Sequence, residues 1–442
     1  MKRFLIAFIA LVTLAWGWSL PTATAVVPTG TVNPWVVREH ALLLTGLWSF
    51  ALMSLAMVLA TRPGWLERPF GGMDRIYRVH KWAGILAIGF AALHWLVEMS
   101  DDLIKAVFGR AGRLSGEHGG GTLEALRDVA EELGEFAIYA LLAMLVLTLW
   151  KRFPFKIWRY VHKLMPALYL ALAFHAALLT PLDDWRQPVG MLLGLLIAAG
   201  SFASLYTLAG GIGRRRRVAG VVESVRASGP GLTEVVCRLD EGWRGHRPGQ
   251  FAFATFDRIE GAHPFTIASA DRGDRRLTFQ IKGLGDYTDG LAYRLQVGQP
   301  VRIEGPYGCF ALPPGDDRRG QVWIAGGIGV TPFLAWLEAL QATPGQAPEV
   351  DFYYSVRRHD ADPFVARLEA LCATLPSVRL HVVSDARNER LTAAMLCERD
   401  GRSPISGIWF CGPRGFADAL RKGLGALGMG RVRFHQEAFE MR

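Results

Sequence analysis

The chain has 442 residues, 51% of them hydrophobic, and a formal net charge of +9. This length has room for two or three domains. Much of this net charge lies in short loops between apolar runs and in the basic run at 214–217. That placement signals membrane orientation and argues against nucleic acid as a partner. All five cysteines follow residue 213 without a CxxC pair, which argues against zinc, iron–sulfur and disulfide frameworks and fits a reducing cytoplasm.

Six apolar segments predict a six-helix transmembrane bundle: residues 4–20, 41–60, 80–98, 134–150, 160–180 and 189–211. The first also matches a cleavable signal peptide, with Ala23-Thr24-Ala25 after a short apolar run, and we favour a retained helix. Basic residues cluster at the N-terminus and at 62–81, 151–159 and 214–217, whereas the loop at 99–132 is mainly acidic. The positive-inside rule then places both termini in the cytoplasm of a multi-pass protein of the cell (inner) membrane.

Four histidines lie in these apolar segments as two pairs, His80 with His94 and His162 with His175. Their spacings of 14 and 13 residues correspond to about 20 Å along a helix. Each helix therefore carries one histidine near either face of a hydrocarbon layer about 30 Å thick. Neutral imidazole is a common iron ligand, and a bis-histidine site favours electron transfer. We expect His80 and His162 to hold an inner b-type haem, and His94 and His175 an outer one.

The second spacing does not fit a regular helix. Fourteen residues return to nearly the same helix face, whereas thirteen leave the second histidine far round the helix. Pro166 lies between His162 and His175, and a kink there would change the phase. Histidines in membrane helices also bond across helix interfaces or relay protons, which is the alternative reading. His40 and His118 are the reserve ligands.

The soluble half begins with short β-rich runs separated by turn residues, which predicts an antiparallel β-barrel. After Pro313-Pro314, strands alternate with helices, which predicts an α/β, Rossmann-like domain. The predicted domains are residues 1–212, 214–313 and 318–442. In the last of them a glycine turn at 326–332 joins a buried strand to a helix, where backbone amides can meet a pyrophosphate.

Six short motifs stand out in the soluble half. They are His263-Pro264-Phe265-Thr266-Ile267-Ala268-Ser269, Ile281-Lys282-Gly283-Leu284-Gly285-Asp286-Tyr287-Thr288, Glu304-Gly305-Pro306-Tyr307-Gly308, Gly326-Gly327-Ile328-Gly329-Val330-Thr331-Pro332, Cys411-Gly412-Pro413 and Glu437-Ala438-Phe439. In this order they resemble the ferredoxin–NADP reductase superfamily. The histidine before the first proline is typical of its membrane branch, the NADPH oxidases and ferric reductases. The spacing of the membrane histidines is also similar, so the resemblance covers nearly the whole chain.

The resemblance implies an FAD-binding β-barrel at 214–313 and an NAD(P)-binding domain at 318–442. The implied flavin contacts are His263, Pro264, Phe265, Thr266, Ser269, Lys282, Gly285 and Thr288. The implied nucleotide contacts are Gly326, Gly327, Gly329, Thr331, Pro332, Ser355, Arg357, Gly412 and Pro413. The implied catalytic residues are Cys411, beside the nicotinamide ring, and Phe439, stacked on the flavin.

Together these features predict a transmembrane oxidoreductase that passes electrons from cytosolic NAD(P)H through FAD and two haems to an outer-face acceptor. The candidate acceptors are oxygen, giving superoxide, a ferric chelate, and a periplasmic redox protein. Ser355 and Arg357 resemble the pair that holds a 2′-phosphate, with Arg358 as the alternative arginine. This favours NADPH, and the nearby Asp360 and Asp362 weaken that preference. Two alternatives stay open: a membrane-anchored flavin reductase without haem, and a histidine-based transporter or channel regulated by nucleotide.

Overall fold

The computed structural model describes residues 2–20, 33–109, 121–150, 152–285, 287–311, 320–343, 345, 347–387, 389–398 and 405–436. The chain divides into two compact units. Unit 1 comprises Met1–Leu66 and Arg75–Ile212, and unit 2 comprises Glu67–Asp74 and Gly213–Arg442. The three predicted domain ranges stay a prediction, since the boundary inside the soluble half, at 313–318, lies outside the described residues.

The helices in the first half of the chain form unit 1, apart from Glu67–Asp74, which covers the end of α3 and the start of α4 and belongs to unit 2. They are α1 (Lys2–Trp18), α2 (Pro34–Ala60), α3 (Gly64–Phe70), α4 (Met73–Glu98), α5 (Asp101–Phe108), α6 (Thr122–Leu149), α7 (Phe155–His162), α8 (Met165–Leu179) and α9 (Pro188–Leu208). Within the described ranges, five stretches are long and apolar enough to cross a membrane: Pro34–Ala60, Met73–Phe108, Thr122–Leu149, Lys156–Leu179 and Pro188–Leu208. These five correspond to the second to sixth predicted segments.

The first apolar segment is also helical, because α1 covers 17 residues there. It packs on its neighbours through polar as well as apolar contacts. The indole Nε1 of Trp48 in α2 donates to the hydroxyl of Thr13 over 2.9 Å. The backbone N–H of Val189 at the start of α9 donates to the Ser19 hydroxyl over 3.1 Å. Helix α1 is thus part of unit 1, while the predicted count of six spans is confirmed only for the five longer stretches.

Several helices begin earlier than the apolar segments predicted. Helix α2 starts at Pro34 instead of residue 41, and the Asn33 side chain accepts a hydrogen bond from the Trp35 N–H at its N-terminus. Asparagine before proline is a favourable helix start. Hydropathy reports only the part of a helix that faces apolar surroundings, so polar first turns such as that of α6 were missed.

A tyrosine joins three of the spanning helices. The Tyr169 hydroxyl in α8 lies 2.8 Å from the Ser54 hydroxyl in α2 and donates to the Leu196 carbonyl in α9 over 3.1 Å. A Cβ on Gly200 in α9 would lie 2.1 Å from that phenolic oxygen. Small residues let membrane helices approach closely, and polar side chains then bond across the interface. Gly200 therefore makes room for the tyrosine that links these helices.

An antiparallel sheet forms the first part of unit 2. Its strands and one short helix are β1 (Arg217–Gly229), β2 (Leu232–Leu239), β3 (Phe251–Thr255), β4 (His263–Thr266), β5 (Arg276–Lys282), α10 (Leu291–Arg294) and β6 (Pro300–Tyr307). The strand order is β4-β3-β6-β1-β2-β5. Beyond the end of β4, Ile267 bridges to Phe279 of β5, and the Ala268 N–H donates to the Thr278 carbonyl over 2.8 Å. The two edge strands are thereby connected.

A parallel sheet with flanking helices forms the second part of unit 2. Its elements are β7 (Gln321–Gly326), α11 (Thr331–Gln341), β8 (Val350–Val356), α12 (Val365–Ala373), β9 (Val378–Ser384), α13 (Ala393–Cys397), β10 (Gly407–Cys411), α14 (Arg414–Ala426) and β11 (Arg433–Gln436). The strand order is β11-β10-β7-β8-β9. From β7 the chain first adds strands on one side of the sheet, β8 and β9, and then on the other side, β10 and β11, so the switch point lies between β7 and β10. Ligands of doubly wound sheets bind at such a switch point, beyond the carboxyl ends of the strands. The predicted α/β class is confirmed.

Substitutions at the tyrosine contact test the packing of unit 1. We expect Tyr169→Phe to lower the free energy of unfolding by about 1 kcal/mol, the scale of a hydrogen bond between membrane helices. We expect Gly200→Ala to cost more, about 1–3 kcal/mol, because the added methyl overpacks the site. Thermal unfolding in detergent measures both. Gly194→Ala in the same helix is the control, since its nearest neighbour would be 3.7 Å away; equal effects of the two glycine substitutions contradict the assignment.

Candidate functional site

The four membrane histidines meet as two ring pairs within unit 1. The rings of His80 and His162 have centroids 6.1 Å apart and planes at 84°. Those of His94 and His175 have centroids 6.4 Å apart and planes at 83°. In each pair, one ring comes from α4 and the other from α7 or α8. The structure thus brings together the partners that depth in the bilayer predicted.

The separation within each pair suits one metal ion between two rings. A metal–imidazole nitrogen bond is about 2.1 Å, and the nitrogen lies about 1.1 Å from its ring centroid, so opposed ligands have centroids about 6.4 Å apart. Clusters of three or more histidine, cysteine, aspartate or glutamate side chains suited to a metal do not occur in the part of the chain that the structure describes. Each pair offers two imidazole ligands, which is the number that a bis-histidine haem takes.

Three of the four rings are anchored through Nδ1 to a carbonyl of a neighbouring helix. His80 Nδ1 donates to Ala56 O over 2.9 Å, and His94 Nδ1 donates to Leu42 O over 2.9 Å. In the same way His175 Nδ1 donates to the carbonyl of residue 130 over 2.8 Å. A bond from Nδ1–H fixes the tautomer and leaves Nε2 with its lone pair free, which is the usual state of a metal-ligating histidine.

A helix break resolves the 13-residue spacing. Helix α7 ends at His162, residues 163–164 form a turn, and α8 then begins with Pro166 in its first turn. Proline has no N–H, so Pro166 cannot donate to the His162 carbonyl. The helical phase is therefore interrupted between His162 and His175, and both rings can face α4 although a regular helix would separate them.

His162 is held differently from the other three. Its Nδ1 is buried without a hydrogen-bond partner among the described residues. The ring stacks on Trp158, with centroids 4.8 Å apart and planes at 16°, and Trp158 Nε1 donates to the Thr148 hydroxyl over 3.0 Å. Sequence reasoning did not include Trp158. Its position four residues before His162, on the same helix face, was the available signal.

Other polar residues of the membrane half have other contacts. His40 lies edge-on to Trp16, with ring centroids 5.9 Å apart, and the second reserve ligand, His118, lies outside the described residues. Glu98, one turn beyond His94, pairs with Arg38 over 3.0 Å. The Arg38 guanidinium also donates to the Glu98 carbonyl over 2.7 Å.

In unit 2, stacked rings join the first two flavin motifs. The ring of His263 in β4 lies 4.3 Å from that of Tyr287 and 6.3 Å from that of Phe265, both at 19°. Thr266 is buried at the end of the strand. The Tyr287 hydroxyl is buried with no hydrogen-bond partner within the described ranges, and burial raises the pKa of this phenol to about 12. A neutral, orphaned hydroxyl beside the motif fits a polar ligand atom.

Of the remaining predicted flavin contacts, two side chains are hydrogen-bonded to the protein's own backbone and two positions are unobstructed. The Ser269 hydroxyl accepts a hydrogen bond from the Thr278 N–H over 3.1 Å. The Thr288 hydroxyl accepts one from the backbone N–H four residues earlier, over 2.9 Å. The Thr288 hydroxyl also donates to the Gly285 carbonyl over 3.4 Å, whereas the Ser269 hydroxyl keeps its hydrogen for donation. Lys282 is exposed, and a Cβ on Gly285 would meet nothing within 4 Å, so the loop after β5 is open to a ligand.

The two nucleotide motifs touch backbone to backbone at the switch point. A Cβ on Gly329 would lie 2.2 Å from the Cys411 carbonyl oxygen. A Cβ on Gly326 would lie 3.0 Å from Pro413 Cδ, and one on Gly412 would lie 3.1 Å from the Gly326 nitrogen. Larger residues would push the two segments apart. Because these residues are glycines, the ends of β7 and β10 lie in close contact and form the bottom of the crevice expected to bind a ligand.

The turn after β7 leads directly into α11. Gly327 has φ +55°, in the region that favours glycine, and a Cβ there would meet nothing within 4 Å. The Thr331 hydroxyl donates to the Ile328 carbonyl over 3.1 Å, and Pro332 lies in the first turn of α11. A helix N-terminus offers free N–H groups and a positive partial charge to an anion. The open space above Gly327 fits the phosphates of a nucleotide.

The residues expected to select the nucleotide lie at the end of β8. Ser355 pairs in register with Gly326, and the Arg357 side chain is exposed just beyond the strand. Asp362, which weakened the preference for NADPH, accepts a hydrogen bond from the Tyr354 hydroxyl over 3.0 Å. Burial, and then Asp362, raise the pKa of the Tyr354 phenol. This carboxylate is therefore engaged by the domain itself.

Of the two residues expected to be catalytic, the structure describes Cys411 and not Phe439. Cys411 is fully buried and belongs to the core cluster that includes Trp323 and Phe333. Phe439 lies outside the described residues, as does Asp286 of the second flavin motif. The roles of Cys411 and Phe439 stay predictions.

Three family models match the chain in succession. The family described as "Ferric reductase like transmembrane component" matches residues 45–173. The family described as "FAD-binding domain" matches residues 224–311, and that described as "Oxidoreductase NAD-binding domain" matches residues 323–422. The first match contains three of the four paired histidines and ends two residues before the fourth, His175, and the other two contain the described flavin and nucleotide motifs.

Relatives with assigned names resemble only part of the chain. A flavohemoprotein of Chromobacterium violaceum is 27% identical over 216 residues, which are 44% of this chain and 52% of the relative. The electron transfer component of anthranilate 1,2-dioxygenase of Acinetobacter baylyi is 26% identical over 200 residues, 43% of this chain and 57% of the relative. The chain thus spans about half the length of the curated relatives it matches.

A solved cytochrome P450 reductase of Amycolatopsis is 25% identical, with a TM-score of 0.44, and covers 51% of this chain and 70% of its own. The order of the three family matches, from membrane part to FAD part to NAD part, is the order of the elements described above. A ferric reductase-like transmembrane domain is thus followed by FAD-binding and NAD-binding oxidoreductase domains, which matches a fusion of the ferric reductase and NADPH oxidase type.

Proposed function

We propose that the protein carries electrons across a membrane, from NAD(P)H in the cytoplasm through FAD and two b-type haems to an acceptor on the outer face. The observation that supports this most is the pair of histidine couples, with ring centroids 6.1 and 6.4 Å apart, near the two ends of the continuous helix α4. Two imidazoles leave no open position on an iron, which suits electron transfer better than ligand binding.

The histidines fit two haems in number, spacing and depth. His80 and His162 would hold the inner haem, and His94 and His175 the outer one. The 14 residues between His80 and His94 amount to about 20 Å of helix, so the two sites divide a hydrocarbon layer of about 30 Å. Haem iron, when bound, takes up and releases one electron at a time. The backbone carbonyls orient the imidazoles that hold it.

The flavin motifs fit FAD through aromatic and polar contacts. The flavin, when bound, accepts a hydride and gives up single electrons. His263, Phe265 and Tyr287 supply an aromatic wall, and the orphaned Tyr287 hydroxyl supplies a hydrogen-bond donor. Lys282 offers a positive charge to the pyrophosphate beside the open loop of Gly285. We extend to the unplaced Phe439 the role that the resemblance implies, which is to stack on the flavin ring.

The switch-point crevice fits the nicotinamide nucleotide. The glycine turn and the N-terminus of α11 would receive its pyrophosphate, and Cys411 would lie beside the nicotinamide. Ser355 and Arg357 would hold a 2′-phosphate, the arginine through two parallel hydrogen bonds. Because Asp362 is already bonded to Tyr354, we favour NADPH over NADH.

The charge pattern orients the conduit. Basic loops at 62–81 and 151–159 and the run at 214–217 place the inner pair, the termini and the nucleotide domains on the cytoplasmic side. We include α1 as a sixth span, and we treat the six-stranded sheet as a barrel closed through the bridge between Ile267 and Phe279. Moving an electron outward is then favoured by about 2.3 kcal/mol per 100 mV of cytoplasm-negative potential.

Spectroscopy of the purified full chain tests the haems directly. We expect a reduced-minus-oxidised spectrum of b-type haem. Because the paired imidazole planes stand at 84° and 83°, the ferric EPR spectrum should show low-spin signals with the large highest g value typical of perpendicular ligands. His94→Ala and His175→Ala should each remove the outer signal, and His80→Ala and His162→Ala the inner one.

His40→Ala is the matched control for these variants, because His40 is a membrane histidine outside both pairs. It should leave both signals intact. Loss of haem in this variant would refute the ligand assignment, and a protein with flavin as its single pigment would refute the conduit. Reduction of ferricyanide directly from the flavin should persist in all five variants, which shows that unit 2 has folded.

Arg357 is expected to set the nucleotide preference. Losing a charge-assisted bidentate contact costs about 2 kcal/mol, or roughly 30-fold in affinity. We expect Arg357→Ala to raise the KM for NADPH by about that factor and to leave the KM for NADH unchanged. Arg358→Ala is the control, with the neighbouring charge removed. Equal losses with both nucleotides would contradict a 2′-phosphate contact.

The acceptor is tested by supplying candidates on the outer side. With the protein in sealed vesicles, NADPH inside and FAD present, we expect reduction of external acceptor that depends on both histidine pairs. Superoxide-dismutase-sensitive reduction of cytochrome c identifies oxygen as the acceptor, and reduction of a ferric chelate without oxygen identifies iron. Reduction of neither outside the vesicles would contradict both of these acceptors.

A further inference from the structure

Two glycines lie directly against the outer histidines. A Cβ on Gly134 in α6 would lie 2.5 Å from both Nδ1 and Cε1 of His175. A Cβ on Gly46 in α2 would lie 3.0 Å from Nδ1 and 3.1 Å from Cε1 of His94. The first distance is incompatible with a side chain, and the second is tighter than ordinary van der Waals contact. Each ring thus occupies space that any other residue would fill.

The same two helices supply the carbonyls that anchor these rings, at a fixed spacing. His94 donates to Leu42, four residues before Gly46, and His175 donates to Ala130, four residues before Gly134. In an α-helix, a side chain leans toward the N-terminus and covers the turn before it. A residue at i+4 therefore shields the carbonyl of residue i, and glycine at i+4 exposes it.

The inner pair lacks this arrangement. His80 donates to the carbonyl of Ala56, and the residue four positions later is Ala60, so a methyl group is compatible with that bond. His162 stacks on Trp158 instead. The glycine and carbonyl combination thus occurs at both outer histidines, on two different helices, and at neither inner one.

We propose that Gly46 and Gly134 are positioning residues of the outer haem site: each opens a notch in which an imidazole reaches a helix carbonyl and is held with Nε2 directed at the iron. This inference rests on the proposed function, because it assumes that His94 and His175 ligate haem. The notch acts through the histidine and not by contact with the cofactor. It fixes the tautomer and the ring plane, both of which determine ligand strength.

Alanine substitutions test the notches with readouts other than activity. We expect Gly134→Ala to displace the His175 ring, weaken outer-haem binding by about 10- to 100-fold and shift the highest g value of the outer signal. Gly46→Ala should have a smaller effect of the same kind, because its Cβ would be 3.0 Å away and not 2.5 Å. Haem titration, EPR and the midpoint potential of each haem measure these changes. The inner signal should stay in place in both variants.

Gly89→Ala is the matched control. Gly89 lies in α4 between His80 and His94, and a Cβ there would meet nothing within 4 Å. It should change neither haem. Gly200→Ala is a second control, since it strains the Tyr169 contact and lowers stability without touching a histidine. Should it alter the outer EPR signal as Gly134→Ala does, the effect is general destabilisation and the positioning role is wrong.

The outcomes separate this inference from the function on which it rests. If the unaltered chain binds two haems and Gly134→Ala behaves like Gly89→Ala in all three readouts, the notch is refuted and the conduit stands. If the unaltered chain binds no haem, the proposed function itself fails. Should Gly134→Ala not fold, Gly46→Ala decides the question, because a methyl group at 3.0 Å needs only a small movement of the neighbouring ring.

Discussion

A polar ring nitrogen in apolar surroundings is stabilised by a hydrogen-bond partner, and this interaction shapes the centre of unit 1 at three of its four paired histidines. Leaving such a group unpaired in hydrocarbon costs several kcal/mol. The carbonyls of Leu42, Ala56 and Ala130 meet that need for three histidines. A carbonyl oxygen has two lone pairs, so it accepts the imidazole while keeping its bond within the helix. The anchored ring then presents its second nitrogen, and the helix backbone itself determines the direction of that ligand.

In both units, a glycine lets another group lie close to the backbone. In unit 1, Gly134 lets an imidazole reach a helix carbonyl. In unit 2, Gly329 lets the turn after β7 lie against the Cys411 carbonyl, where a Cβ would come within 2.2 Å. The purposes differ, since one opening admits a side chain and the other joins two strand ends at a switch point. In both, the absence of a side chain places strong backbone dipoles beside the site. These dipoles act without the entropy cost of ordering a flexible side chain.

Sequence patterns predicted the parts of the site that lie within one continuous segment of the chain. The spacing of His80 and His94 is a property of α4 alone, and the glycine turn after β7 precedes its helix directly in sequence. Contacts between segments were not predictable in the same way. Nothing in the periodicity around His175 indicates that Gly134, 41 residues earlier, makes room for its ring. The helix break before Pro166 was recognised as a means of changing phase, but its effect depends on how α8 packs, which is a tertiary property.

The nucleotide site shows why charge counted along the sequence misleads. Arg357 lies near Asp360 and Asp362 in the chain, and the sequence therefore weakened the preference for a 2′-phosphate. In the fold, the Asp362 carboxylate accepts hydrogen bonds from the Tyr354 hydroxyl and the Phe364 N–H, each over 3.0 Å. These two donors orient the carboxylate and stabilise it where it lies. Position in the sequence therefore does not report which groups a carboxylate contacts, and the proposed preference for NADPH depends on Arg357, whose side chain is exposed.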